Sequence, residues 1–162
     1  MAVDESRLMD FIHKFVGDLG ATMAAGNVVI GDRLGLYQAM VDRPLAASDL
    51  AVRTGTAARY VEEWLRGQAA GGYVEYDAAT GRYWLTEEQK FALTDPSGPL
   101  YAPGAFQFAL ATLRSEPAIT NAFRTGAGFG WHEHDAEMFE GCERFFRPGY
   151  VGNLVSSWLP AL

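Results

Sequence analysis

The stretch "TGTAARYVEEWLRGQAAGGYVEYDAATGRYWL", Thr54 to Leu85, constrains the fold of this chain more than any other. Ala57 to Ala70 carries Val61, Trp64 and Leu65 at helical spacing, and Gly71-Gly72 stops it. Tyr73 to Tyr76 and Arg82 to Leu85 read as two short strands, with Asp77 to Gly81 as their turn. In front of this unit Ser48 reads as the cap of a short helix, Asp49 to Arg53. Gly55 reads as a turn and Thr56 as the cap of the next helix. Behind it, Thr86 reads as the cap of a helix entered by Glu87 and Glu88. Two helices and a hairpin in this order are the winged-helix plan.

A winged helix often reads DNA, so charge matters here. The formal net charge is −7 and the pI about 4.9. Nucleic-acid binding draws on counterion release by excess Lys and Arg. On the helix that would enter a groove, Arg59, Arg66 and Gln68 are interleaved with Glu62 and Glu63, and the wing pairs Arg82 with Glu75, Asp77, Glu87 and Glu88. These charges read as a solvated face with helix-supporting pairs such as Glu62–Arg66. The expectation is no nucleic-acid partner, with a winged-helix DNA-binding regulator as the alternative. Anionic membranes are disfavoured by the same charge.

The hydrophobic fraction is 49% and the charged fraction 20%, an ordinary globular balance over 162 residues. Cys142 is the single cysteine, so it has no internal disulfide partner and no companion thiol for a zinc site. The opening "MAVDESRLMD" is acidic and unlike a signal peptide, and no apolar run is long enough to span a bilayer. A cytoplasmic protein is the expectation.

Upstream of the wing, Leu8, Phe11, Ile12, Phe15, Val16 and Leu19 make one apolar face of a helix that Asp4 or Ser6 can cap. A second helical run covers roughly Thr22 to Met40. Its Gly26, Gly31 and Gly35 imply close approach of another helix, or a break into two pieces. Pro44 ends it. Downstream of Pro96 comes a Gly/Pro loop, then a helix containing Phe106, Phe108, Leu110 and Leu113. Ser115 reads as the cap of a helix that stops at Thr125-Gly126. The loop "GAGFGWHEHD" follows. Asp135 then caps Ala136 to Phe146, and Pro148 starts a last helix that runs to Trp158 and ends before Pro160. Residues 1–95 are expected to hold the N-terminal helices and the winged helix, and 96–162 a helical lid or linker.

No complete catalytic set is legible. "GAGFG" lacks the sixth-position glycine and the preceding strand of a dinucleotide loop. His132 and His134 stand two apart with no third ligand at helical spacing, which argues against a metal. A loop that combines Phe129, Trp131 and two imidazoles instead has the make-up of a pocket wall. His13 falls on the polar side of its helix. Cys142 has no basic neighbour to activate it.

Three segments together resemble the N-terminal region of bacterial class I S-adenosylmethionine-dependent methyltransferases, relatives of the small-molecule O-methyltransferases. They are "FVGDLGATMAAGNVVIGDRLGLYQAM", the winged helix, and the ending "FEGCERFFRPGYVGNLVSSWLPAL". The resemblance implies a mainly α fold: a winged helix (helix-turn-helix plus β-hairpin) with long N-terminal dimerisation helices and additional C-terminal helices. It implies a homodimer that caps a small-molecule substrate. S-adenosylmethionine would be held by a Rossmann-like domain absent from this sequence, so the chain alone is expected to be catalytically inactive. It further implies that Met23 and Asn27, the loop residues Phe129, Trp131, His132 and His134, and Met138 and Phe139 line the substrate. Tyr150 would reach the cofactor edge, and His132 or His134 are the candidates for a base. A free-standing ligand-binding dimer is the remaining alternative.

Overall fold

The computed structural model describes residues 3–162, so the first two residues of the expected 1–95 unit lie outside the described residues. The fold is mainly α with one small sheet. Helix α1 spans Glu5–Arg33, about 44 Å at 1.5 Å per residue. Asp4 caps it by accepting the Arg7 amide hydrogen. The sequence divides this segment into two helical runs, but the helix is continuous through Gly17, Gly20 and Gly26. A glycine lowers helix propensity without removing the i→i−4 hydrogen bond, so the run survives it. The last part of the expected second run is a separate 3₁₀ turn, Gln38–Met40. Gly35, at φ +65°, makes the break between them.

Helix α2 spans Ala47–Thr54 and α3 spans Ala58–Ala70. Their caps are Ala46 and Ala57, not Ser48 and Thr56, and neither has a side-chain oxygen to accept an amide hydrogen. Ser48 lies inside α2. The Thr56 hydroxyl pairs with that of Thr54 at 2.8 Å. Gly55 takes the left-handed conformation (φ +66°) that separates the two helices. Strands β1, Glu75–Asp77, and β2, Arg82–Trp84, pair antiparallel with Tyr76 opposite Tyr83. Leu45 adds a bridge to Tyr83, with N–H···O distances of 2.9 Å in both directions, so the wing is anchored to the segment before α2. Thr86 caps α4, Glu87–Leu93, in a reciprocal capping box with Gln89.

The core lies where α1, α2, α3 and the wing meet. Val28, Tyr37, Leu50 and Leu65 are its most enclosed members, and Leu36, Met40 and Val74 pack beside them. Gly31 is the glycine that permits close approach: a Cβ there would come 2.7 Å from Tyr37 Cε2 and closer still to the Trp64 ring of α3. At Gly26 a Cβ would meet nothing within 4 Å, so the close approach expected there does not occur. The Tyr37 hydroxyl donates to Gln68 Oε1 at 2.5 Å, which satisfies two polar groups inside the core.

Helix α5 spans Pro103–Arg114, α6 spans Glu116–Thr125 and α7 spans Ala136–Asn153. Pro148 lies inside α7 instead of starting a new helix. The chain leaves α7 through a wider turn at Leu154–Trp158 and a 3₁₀ turn at Leu159–Ala161 that contains Pro160. Helices α5 and α7 run antiparallel in close contact through two glycines. A Cβ on Gly104 would come 2.8 Å from Arg144 Cβ, and one on Gly141 would come 2.5 Å from the Phe108 amide nitrogen.

In contrast, α1 contributes no buried residue before Ala25. Leu8, Phe11, Ile12, Phe15, Val16 and Leu19 are all exposed, from 39% at Ile12 to 64% at Phe11.

Candidate functional site

The aromatic loop between α6 and α7 is assembled by local rules. Gly126 (φ +71°) ends α6 and Gly128 (φ +79°) redirects the chain. Glu133 folds back to accept the Gly130 amide hydrogen at 2.5 Å, closing a short 3₁₀ turn over Trp131–Glu133. Asp135 then caps α7 by accepting the Glu137 amide hydrogen at 2.9 Å. Its carboxylate is held below the ordinary 3.8 by that backbone bond first and by Arg114 second. Arg114 also reaches Glu137 at 3.1 Å, and Glu137 pairs with Arg33 of α1 at 2.6 Å. The loop is therefore fastened to α5, α7 and the end of α1.

On this base the rings gather around His134. Phe129 stands edge-to-face with it at 4.6 Å between centroids, and Trp131 at 5.5 Å. Trp131 in turn meets Phe139 of α7 at 5.3 Å. His134 Nδ1 lies 3.0 Å from Ser115 Oγ. Ser115 is the shared residue between α5 and α6. It makes no side-chain cap for α6, as its sequence position suggests it should; its hydroxyl is turned to the imidazole instead.

Four of the expected residues are thus brought together: Phe129, Trp131, His134 and Phe139. His132 is exposed, its ring packed over Gly130. Met138 is buried at 2% exposure and packs inward. Asn27 faces α3: its carbonyl accepts the Trp64 Nε1 hydrogen at 2.8 Å and its amide lies against Gly67. Met23 is exposed one turn earlier on α1. Tyr150 stands edge-to-face with Trp158 at 5.5 Å, beside an open groove lined by Cys142, Phe146 and Arg147. Among the described residues no three His, Cys, Asp or Glu side chains converge on one point.

A buried polar network escapes sequence reasoning altogether. Arg144 of α7 donates to Asp32 of α1 at 2.7 Å, to Gln107 of α5 at 2.6 Å and to the Tyr101 hydroxyl at 3.0 Å. Tyr101 itself donates to Asp32. Burial first, and then the Asp32 carboxylate, push the Tyr101 phenol well above its ordinary range. No periodicity or motif links positions so far apart in the chain.

Residues 21–95 match the family described as the Rv2258c-like winged HTH domain. The matched span holds the two helices and the hairpin of the winged helix-turn-helix plan, α2, α3, β1 and β2. Among solved structures, mitomycin 7-O-methyltransferase MmcR is similar at TM-score 0.66 and 20% identity, over 91% of this chain and 47% of that one. CalO1, a methyltransferase in calicheamicin biosynthesis solved with SAH bound, is similar at 0.59 and 20%, over 93% and 47%. Human N-acetylserotonin methyltransferase, in complex with SAM, is similar at 0.59 and 16%, over 91% and 44%. The chain therefore spans less than half the length of these structures, and it corresponds to their N-terminal part. At these identities the likeness is one of fold. No curated protein matches the chain significantly.

Within this winged domain the helix that a DNA reader would use is α3. Its Arg59 is paired with Glu63. Its Arg66 is paired with Glu62 at 2.5 Å and with Glu63 at 3.4 Å. The charges that would meet phosphate are engaged by carboxylates of the same helix. Among the described residues there is no open parallel sheet of the kind that holds a nucleotide cofactor such as S-adenosylmethionine. Such cofactors sit at the carboxyl ends of parallel strands beside a glycine-rich turn. The sheet here is a two-stranded hairpin, and "GAGFG" follows helix α6. No helix among the described residues is long and apolar enough to cross a membrane.

Proposed function

We propose that this chain is the dimerisation and substrate-capping domain of an S-adenosylmethionine-dependent methyltransferase that acts on a small molecule. The observation that carries the reading is the extent of the likeness. It spans the winged domain and the helices after it, over 91–93% of the chain, and ends at less than half the length of MmcR and CalO1. The methyl donor is assigned to a further domain, and the chain alone is catalytically inactive. Residues 1–95 hold the dimer helices and wing, and 96–162 the lid.

The exposed apolar face of α1 supports a homodimer, because six large side chains in one stripe are costly to leave in water. The ring cluster of Phe129, Trp131, His134 and Phe139 supports a substrate wall, with apolar area to hold a ring system and imidazole to orient it. The acidic charge and the self-paired α3 arginines weigh against DNA as a partner. A cytoplasmic location accords with the chemistry assigned to the intact enzyme.

The test is the mass of the native protein in its source cells, detected with an antibody to this chain. A species larger by about one domain, on the order of 150–200 residues, supports the reading. A species at the chain's own size of 17.7 kDa removes the enzyme reading. It would leave a free-standing ligand-binding dimer, to be tested by binding of apolar aromatic ligands without a methyl donor.

A further inference from the structure

The geometry points to a defined tautomer for His134. Ser115 holds its Nδ1 as the acceptor, so Nε2 carries the hydrogen and presents a donor to the ligand side of the ring cluster. The aromatic wall then selects ring compounds that carry an oxygen acceptor, such as a carbonyl, and His134 is a binding residue rather than a base. This rests on the substrate-wall reading above.

The argument is an inventory of hydrogen-bonding capacity. Ser115 is buried, at 7% exposure, and its hydroxyl has one partner among the described residues, His134 Nδ1 at 3.0 Å. Serine hydroxyls at helix ends commonly donate to a carbonyl three or four residues back. Thr112 does so to Phe108, but no carbonyl receives the Ser115 hydrogen. If Nδ1–H donated to Oγ, the hydroxyl hydrogen would be left buried with no acceptor, a costly arrangement. If the hydroxyl donates to Nδ1, both groups are satisfied. A neutral imidazole carries one N–H, so it then falls on Nε2.

Nε2 is free to use it. His134 is half-buried, and its one side-chain hydrogen bond among the described residues is the one at Nδ1. The ring plane is fixed by edge-to-face contacts to Phe129 and Trp131 at 72° and 64°. The Nε2–H vector therefore has a set direction beside two apolar rings. That pairs one directional donor with an aromatic surface. The same tautomer cannot accept a proton at Nε2, which removes His134 as the base suggested by its position in the loop.

Two measurements decide this. Histidine side-chain nitrogens are observed by long-range proton–nitrogen correlation at about pH 8.5, about two units above the ordinary imidazole value. His134 is assigned by comparison with His134→Gln. The expected pattern has the protonated nitrogen correlated to both ring protons, as Nε2 must be. In Ser115→Ala the Nδ1 resonance moves while Nε2 stays protonated. A protonated Nδ1 in the wild type overturns the proposal, and so does an Nδ1 resonance indifferent to Ser115→Ala.

The second measurement is binding of 2-acetylnaphthalene against 2-isopropylnaphthalene, which share a shape and differ in the acceptor. One neutral hydrogen bond predicts tighter binding of the ketone by about 2- to 12-fold, lost in His134→Phe. Equal binding of both compounds overturns the acceptor selectivity while leaving the wall intact. Binding of neither overturns the wall itself, and the tautomer is still decided by the first measurement.

Discussion

The Asp32 carboxylate near the end of α1 accepts a hydrogen bond from the Arg144 guanidinium of α7 at 2.7 Å, across 112 positions of sequence. Asp32 is almost enclosed, with 7% of its side chain exposed, while Arg144 keeps a third of its own in water. The pair ties the winged domain to the helices that carry the aromatic loop. Glu137 and Arg33 make a second tie one end further along.

Removing one member of a buried pair leaves an uncompensated charge, which costs more than the pair contributes. Arg144→Met is therefore expected to lower unfolding free energy by about 2–3 kcal/mol, reduced from the fully buried case because Arg144 is partly solvated. Asp32→Asn with Arg144→Met together should recover part of that loss, since no naked carboxylate remains. Urea denaturation of the two single variants and the double variant gives the coupling. A double variant no better than the sum of the singles would show that the pair does not act as a unit.

Gly141 is the position where α7 comes closest to α5. A methyl group there meets the Phe108 backbone, which has no flexible end to swing aside. Overpacking of this kind costs about 2 kcal/mol. In a chain of this size that lowers Tm by about 4–8 °C. Gly149→Ala on the same helix is the control, because a Cβ there meets nothing within 4 Å and alanine favours helix. Calorimetry should separate the two in opposite directions.

The acid response of the loop follows from Asp135. Its carboxyl is depressed in the folded state, so the stabilisation from its ionised form is present above the ordinary carboxyl value. That stabilisation is lost as pH falls through the lower folded value. Asp135→Ala should therefore have a lower Tm than wild type at pH 7, and the gap should narrow below the ordinary 3.8. A gap that is independent of pH would mean that the cap acts without its charge.

The winged helix was legible because its signals are local. Gly55, Gly71-Gly72 and the Thr86 cap each fix the chain over a few residues, and each acts as the sequence suggests; the return bond from Gln89 that completes the capping box is seen only in the fold. Boundaries failed where a local rule was overridden. Ser48 and Ser115 have the chemistry of caps but serve elsewhere, one inside α2 and one against His134. Pro148 marks a helix start by habit, yet α7 runs through it at the cost of one hydrogen bond. In the candidate site, Phe129, Trp131 and His134 were readable as neighbours in one loop. Ser115 and the Asp32–Tyr101–Arg144 network were not, since only the folded chain brings them together.

The N-terminal half of α1 provides the remaining prediction. Leu8, Phe11, Ile12, Phe15, Val16 and Leu19 follow a helical stripe, so one face of the helix is apolar over several turns and stays exposed among the described residues. A side chain of this kind gains about 1.5–3 kcal/mol when fully removed from water, so a second copy covering the stripe has ample driving force. Light scattering after size exclusion is expected to give a mass near twice the chain's 17.7 kDa. Phe15→Asp, in the middle of the stripe, places a carboxylate where it would have to be buried in the dimer, and should yield monomer. Its own fold should be unaffected, because residue 15 is exposed and the buried part of α1 begins at Ala25. Helical content by circular dichroism checks that point. A wild type that is monomeric at tens of micromolar would remove the dimer from the proposed function and leave the stripe to another partner.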